Sequence, residues 1–153
     1  MRLEETGTFS VEASAEDALA YLTDVEAVPH CLPGEIHDVE PREDGGVTVE
    51  MTASYAGASE EIRVRFYVDA VDEDAGCVQY TGNGLASRAK VDLDGEFHLQ
   101  EDGDQLQVEW RGGADVGGIL SSLNRGVASV AVREKLGETA ENVQQELQRR
   151  GAN

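Results

Sequence analysis

Between Thr8 and Gly34 the chain packs a strand and two helical turns into one short stretch, and that order constrains everything after it. Phe9, Val11 and Ala13 alternate as one face of a strand. Ser14 follows where it caps the backbone donors of a helix, with Asp17 as the acidic partner of a capping box. Ala15, Ala18, Leu19 and Leu22 share one face of that helix. Asp24 caps a second, shorter helix carrying Val25 and Val28, which Pro29 confines to a single turn, before Pro33-Gly34 turns the chain into the next strand. A helix pair placed this early acts as a plug, because the strands that follow enclose a cavity only if something closes its mouth.

Those strands are legible as period-two runs. Val47, Val49, Met51, Ala53 and Tyr55 form one; Ile62, Val64, Phe66 and Val68 the next; Val78 and Tyr80 another. Ala89, Val91, Leu93, Phe97 and Leu99 follow, then Leu106, Val108 and Trp110. Glu43 to Gly46, Asp72 to Gly76 and Glu101 to Asp104 supply turn residues, so consecutive strands pair as antiparallel hairpins. Arg88, Lys90, Asp92 and Asp94 take the solvent side of the strand carrying Val91, and Gly95 predicts a bulge or bend within it. Gly82-Asn83-Gly84 reads as a turn.

A sheet this polar on one face needs cover on the other. No proline occurs from Val116 to Arg149, and the segment predicts one helix of about 50 Å at 1.5 Å per residue. Val116, Ile119, Leu120, Leu123, Val127 and Val130 fall on one of its faces, and Val132, Leu136, Ala140, Val143 and Leu147 on the opposite one. Its first half is expected to line a pocket; the alternative is two helices broken near Gly137. The fold class is α+β: a curved antiparallel sheet wrapped around a long C-terminal helix, with two short helices after the first strand. No linker, low-complexity block or repeat divides the chain, so residues 1–153 are expected to form a single domain.

Charge restricts the partners. Asp and Glu number 31 against 12 Lys and Arg, a formal net charge of -19. That excess repels polyanions and anionic lipid surfaces, so no nucleic acid is expected to bind. At molar salt the Debye length falls to about 3 Å and the self-repulsion is screened. The balance therefore reads as adaptation to a salt-rich cytoplasm, the alternative being an acidic mesophilic domain that needs solubility. Met1-Arg2-Leu3-Glu4-Glu5 lacks the apolar core of a signal peptide, and no apolar run is long enough to span a bilayer. A cytoplasmic protein with no transmembrane segment is expected, with Cys31 and Cys77 as free thiols.

The motifs do not point to catalysis. Gly112-Gly113-Ala114-Asp115-Val116-Gly117-Gly118 sits where phosphate loops occur, but it lacks their Lys-Ser/Thr and sets Asp115 where a phosphate would lie, so it reads as a close-packed turn. His30, Cys31 and His37 do not match zinc-ligand spacing. Neighbours on one helical turn point about 100° apart, which disfavours a His30-Cys31 nucleophile pair. Among 31 acids no carboxylate pair stands out. No catalytic residue, no metal ligand and no cofactor is therefore expected.

With these pieces in order the chain resembles the CoxG family of carbon monoxide dehydrogenase, within the START-like, polyketide-cyclase-like (SRPBCC) superfamily. The resemblance runs from Thr8 to Leu147. It rests on Phe9-Ser10-Val11 with Ala13 and the acidic helix start, and on Asp24-Val25-Glu26 leading to Cys31-Leu32-Pro33-Gly34. Gly82, Gly84 and Val116-Gly117-Gly118-Ile119-Leu120 complete it. The resemblance implies a helix-grip fold around an apolar cavity. It further implies an accessory role beside a molybdenum hydroxylase of the carbon monoxide dehydrogenase type, with membrane recruitment of that enzyme and carriage of a quinone-like lipid. Tyr55-Ala56-Gly57-Ala58-Ser59-Glu60-Glu61 replaces the family's basic, glycine-proline strand motif, so stable membrane anchoring is not expected of this chain.

The reading that follows is non-enzymatic binding or transport of an apolar, quinone- or lipid-like small molecule between sheet and helix. Its expected contacts are Met51, Tyr55, Val64, Phe66, Val91, Leu93, Trp110, Ile119, Leu120, Leu123 and Val127. Two alternatives use the same scaffold. A cyclase- or lyase-type enzyme would aim a base or acid into the cavity, and a ligand-free interaction module would leave a hollow well below about 300 Å³.

Overall fold

The alternating runs become strands because each apolar row finds the same side of one sheet. The computed structural model describes the backbone of residues 2–55, 58–86, 89–118 and 125–151, and the side chains of these residues except 55, 58, 89, 118 and 125–129. The elements are β1 (Arg2–Val11), α1 (Ala15–Leu22), a 3₁₀ turn (Val28–Cys31), β2 (Glu35–Pro41), β3 (Val47–Tyr55) and β4 (Ala58–Asp72). Then come β5 (Cys77–Leu85), β6 (Ala89–Asp102), β7 (Gln105–Gly118) and α2 (Arg125–Gly151). The strands form one seven-stranded antiparallel sheet in the order β1-β7-β6-β5-β4-β3-β2. It is a meander from β2 to β7, with β1 laid along β7.

Turn chemistry closes the hairpins as expected from sequence. Gly76 (φ 67°) and Gly103 (φ 64°) hold left-handed conformations that a Cβ would strain. In α1, Ser14 Oγ accepts from the Asp17 backbone N–H at 3.1 Å. Ala18 and Leu22 are fully buried beneath it, and Ala15 and Leu19 pack at the margin of the core. Pro29 stands at the start of the 3₁₀ turn, where its missing N–H costs nothing, and that turn spans only four residues.

The glycine-rich segments depart from expectation. Gly112 to Gly118 is not a turn but the far end of β7, hydrogen-bonded to β6 up to Gly118 and to β1 up to Asp115. Gly82-Asn83-Gly84 is likewise continuous strand within β5. Glycine weakens a strand locally, but two hydrogen-bonded neighbours on either side supply the pairing that overrides it. Gly95 makes no bulge: β6 keeps register with β5 and β7 through it. The register shifts instead lie at Ile36/Asp38 in β2 and Val68/Ala70 in β4. At the other end of the chain β1 stops at Val11, so Ala13 lies beyond the strand.

The helix is correspondingly later than expected. Val116 belongs to β7, and α2 covers 27 residues from Arg125, about 40 Å of helix. It continues through Gly137, where nothing lies near the missing side chain. A helix phased from Val116 turns the wrong face inward. Ala140, Val143 and Leu147 are buried, whereas Val130 is 59 % exposed. Ile119, Leu120 and Leu123 lie outside the described residues, as does the side chain of Val127.

An apolar cavity as candidate functional site

Along the sheet's inner face large residues give way to small ones, and where they do the interior is hollow. Val78, Leu106 and Val108 are completely buried at one end. Next comes an aromatic belt in which the Tyr80 ring lies 5.5 Å from Phe66 and 5.8 Å from Phe97, centroid to centroid. Beyond the belt the inward positions of the central strands include Gly82, Gly95, Gly112 and Ala114. Register sets Gly95 opposite Gly112, so two absent side chains coincide. A cavity of about 230 Å³ lies over this floor, partly open to solvent and almost wholly apolar.

Three elements complete its walls. β3 and β4 contribute Met51, Ala53, Ile62 and Val64. α2 covers it with Ala131, Val132, Leu136 and Ala140, the face that the sequence phasing assigned to a second contact surface. Leu136 approaches the sheet through Gly112, where an added Cβ would stand 3.2 Å from Leu136 Cδ2. Val28, Leu32 and Pro33 close the end nearest α1.

That closure explains the Cys-Leu-Pro-Gly motif. Cys31 is buried and its Sγ lies 3.0 Å from Tyr21 Oη. Burial pushes the Cys31 thiol above its ordinary range, so it remains protonated. Asn142 of α2 donates to the Cys31 carbonyl at 3.0 Å, tying the helix to the plug. Gly34 passes so close to β3 that a Cβ would meet the Thr52 carbonyl oxygen, which excludes other residues there. Tyr80 Oη donates to the Leu22 carbonyl at 2.5 Å, and burial raises its pKa. Its hydroxyl is therefore engaged with α1 and not with the hollow.

The charged residues of β6 and β7 bordering the site are paired with one another. Asp94 accepts from Arg2 Nη1 at 2.8 Å and from Arg111 Nη1 at 3.2 Å; Glu96 accepts from Arg111 Nε at 3.0 Å. The Arg2 hydrogen bond holds Asp94 below its ordinary carboxylate range, and that from Arg111 does the same for Glu96. Lys135 is engaged by Glu138 on α2 at 3.3 Å. Among the described residues no buried side-chain nitrogen or oxygen lacks a partner.

Of the residues expected to contact a ligand, Met51, Val64, Phe66, Val91, Leu93 and Trp110 all line this cavity. Tyr55 ends β3, with its side chain outside the description, as for Val127; Ile119, Leu120 and Leu123 fall outside the described residues. Sequence reasoning missed Gly82, Gly112, Ala114, Leu136 and the plug residues Leu32 and Pro33. The first three were detectable by carrying the period-two phase of Trp110 and Tyr80 through the glycines instead of ending the strands there. The two lone-histidine regions disperse: His30 is exposed, and His37 Nε2 meets Thr52 Oγ1 at 2.7 Å.

A family model described as CoxG, of carbon monoxide dehydrogenase, matches residues 7–148. Among curated proteins none matches at the sequence level. Solved structures share the fold at low identity. A conserved protein from Geobacillus kaustophilus superposes with a TM-score of 0.79 at 15 % identity, covering 95 % of each chain. The Zhui aromatase/cyclase from Streptomyces sp. R1128 gives 0.67 at 18 %, over 98 % of this chain and 96 % of that one. A START superfamily protein from Mycobacterium smegmatis gives 0.62 at 17 %, over 95 % and 97 %. At these identities the likeness establishes the helix-grip fold and not an activity.

Proposed function

The chain belongs to the CoxG family of carbon monoxide dehydrogenase, and from that membership together with the cavity we propose that it binds and carries an apolar, quinone- or lipid-like small molecule without transforming it. The observation that carries the reading is the hollow itself, about 230 Å³ lined almost entirely by carbon beneath α2. Burial of apolar surface supplies affinity there without any directional partner. The tyrosine hydroxyl and the carboxylates nearest the site are engaged elsewhere, which favours carriage over cyclase or lyase chemistry.

Volume narrows the occupant. The hollow is larger than the roughly 150 Å³ that admits benzene to a protein interior, and smaller than the roughly 300 Å³ at which drug-sized pockets begin. A single quinone-sized ring with a short stretch of tail fits that range, and the rest of a long tail would leave through the open side. The partner in this reading is a molybdenum hydroxylase of the carbon monoxide dehydrogenase type, and the setting is a salt-rich cytoplasm that screens the net charge of -19.

Native mass spectrometry after incubation with short-tailed quinones and lipid extract tests the proposal. One apolar molecule per chain is expected, displaced in Ala53→Phe, which puts a ring into the cavity from β3. Recovery of no apolar ligand, or equal retention by Ala53→Phe, would remove the carrier reading.

A further inference from the structure

The outer face of the sheet, opposite the cavity, carries a second constellation. Residues 78, 80, 97 and 99 point inward on β5 and β6, so Cys77, Gln79, Glu96 and His98 point outward. Register pairs Cys77 directly with His98, and Glu96 lies two residues away on the same strand face. Cys77 Sγ is 3.8 Å from His98 Nε2, and His98 Nε2 is 3.4 Å from Glu96 Oε2. All three atoms lie within 4.8 Å of one another.

These separations match the edges of a tetrahedron around a metal ion. Zinc bonds of about 2.3 Å to sulfur and about 2.0–2.1 Å to nitrogen and oxygen put neighbouring ligand atoms roughly 3.3–3.6 Å apart. The two contacts to the imidazole need only a few tenths of an ångström of adjustment. The arrangement is not that of a nucleophile relay. Both contacts converge on the same imidazole nitrogen, whereas a Cys-His-carboxylate relay uses one ring nitrogen for the thiol and the other for the acid.

Neighbouring groups orient the set. Arg111 Nε holds Glu96 Oε1 at 3.0 Å, which turns Oε2 toward His98. Gln79 Nε2 reaches the same Oε2 at 3.4 Å, a weak contact that a metal would replace. His98 is 49 % and Glu96 21 % exposed at the side chain, so an ion has a route in from solvent. A thiolate, an imidazole and one carboxylate form a donor set for borderline-soft divalent ions, not for Mg(II) or Ca(II), which prefer all-oxygen shells. The surrounding excess of acids raises the local cation concentration.

The geometry points to a binding site for a Zn(II)-class divalent ion at Cys77, Glu96 and His98, with a fourth position open to water or to a donor from a partner. The site is independent of the cavity, since it occupies the opposite face of the sheet. His98 lies 21 positions from Cys77 in sequence, so no short ligand-spacing motif announces the set; only strand register does.

Titration of the reduced full chain with Co(II), in excess Mg(II), tests the site. One equivalent is expected to bind with a thiolate-to-cobalt charge-transfer band, which one equivalent of Zn(II) abolishes. Cys77→Ser loses the band. His98→Asn weakens Co(II) binding by at least about tenfold, the scale on which losing even an outer-shell partner is felt. Both positions are on the partly exposed outer face, and circular dichroism verifies that the variants fold. No charge-transfer band in the wild type, a band that persists in Cys77→Ser, or unchanged affinity in folded His98→Asn would overturn the inference.

Discussion

The two ends of the sheet's inner face are made by the same strands and capped by the same helix, yet one is solid and the other hollow. At the solid end Val11, Val47, Val78, Leu106 and Val108 interlock with Leu22 of α1 and with Val143 and Leu147 of α2. At the hollow end the inward row includes Gly82, Gly112 and Ala114 beneath Val132 and Leu136. The difference is side-chain volume alone, since hydrogen bonding along the strands is continuous through both ends. The lesson is that stability and binding are separated on one surface: the first end holds the grip together, and the second leaves room inside it.

The sharpest break of that comparison is a matched pair of truncations. Leu106→Ala at the solid end removes a fully buried side chain and is expected to cost about 2–5 kcal/mol. Leu93→Ala borders a space that already lacks contacts and is expected to cost less than about 2 kcal/mol, the bottom of that range. Urea denaturation of both variants measures the contrast, and equal costs would mean that the hollow is closed in solution.

A smaller effect, of opposite sign, is expected at Gly82. An added Cβ would sit 3.4 Å from Val64 Cγ1, an ordinary contact. Gly82→Ala is therefore expected to stabilise the strand by about 0.5–1 kcal/mol while shrinking the cavity and weakening an apolar ligand. A variant that gains stability and keeps full ligand occupancy would show that this floor position does not shape the site.

The smallest effect expected is electrostatic. Asp94 is held below its ordinary value of 3.8 chiefly by Arg2 and then by Arg111. Glu146, on α2, is held below its ordinary value of 4.5 chiefly by Arg149 and then by Arg150. A carboxylate whose pKa is depressed by folding adds stability above its unfolded value and loses it as pH falls through the folded one. Stability is thus expected to fall below about pH 4.5, and each partly exposed pair contributes at most about 1 kcal/mol. Arg111→Gln flattens that acid limb if the pairing is what links stability to pH, and chemical denaturation from pH 6 to pH 3 checks it.

The strand train, its three glycine-bearing turns, the capped α1 and the Cys31-Leu32-Pro33-Gly34 plug were legible in the chain because each is encoded over a few neighbouring residues, in period, cap or turn chemistry. The helix start was not. A six-residue apolar face phased from Val116 looked helical, but Val116 also completes the alternation from Leu106, and only pairing with β6 and β1 chooses strand. The same holds for the glycines of β5 and β7, whose local signal is turn and whose neighbours make them sheet.

Sequence alone therefore determined the inventory of this protein: an acidic α+β chain, its strands, its plug and the apolar residues facing inward. Tertiary structure decided what those residues enclose. Gly95 opposite Gly112 makes a void, and Cys77 opposite His98 makes a cluster, only through cross-strand register. Register depends on pairings summed over whole strands, so no local window of residues contains it.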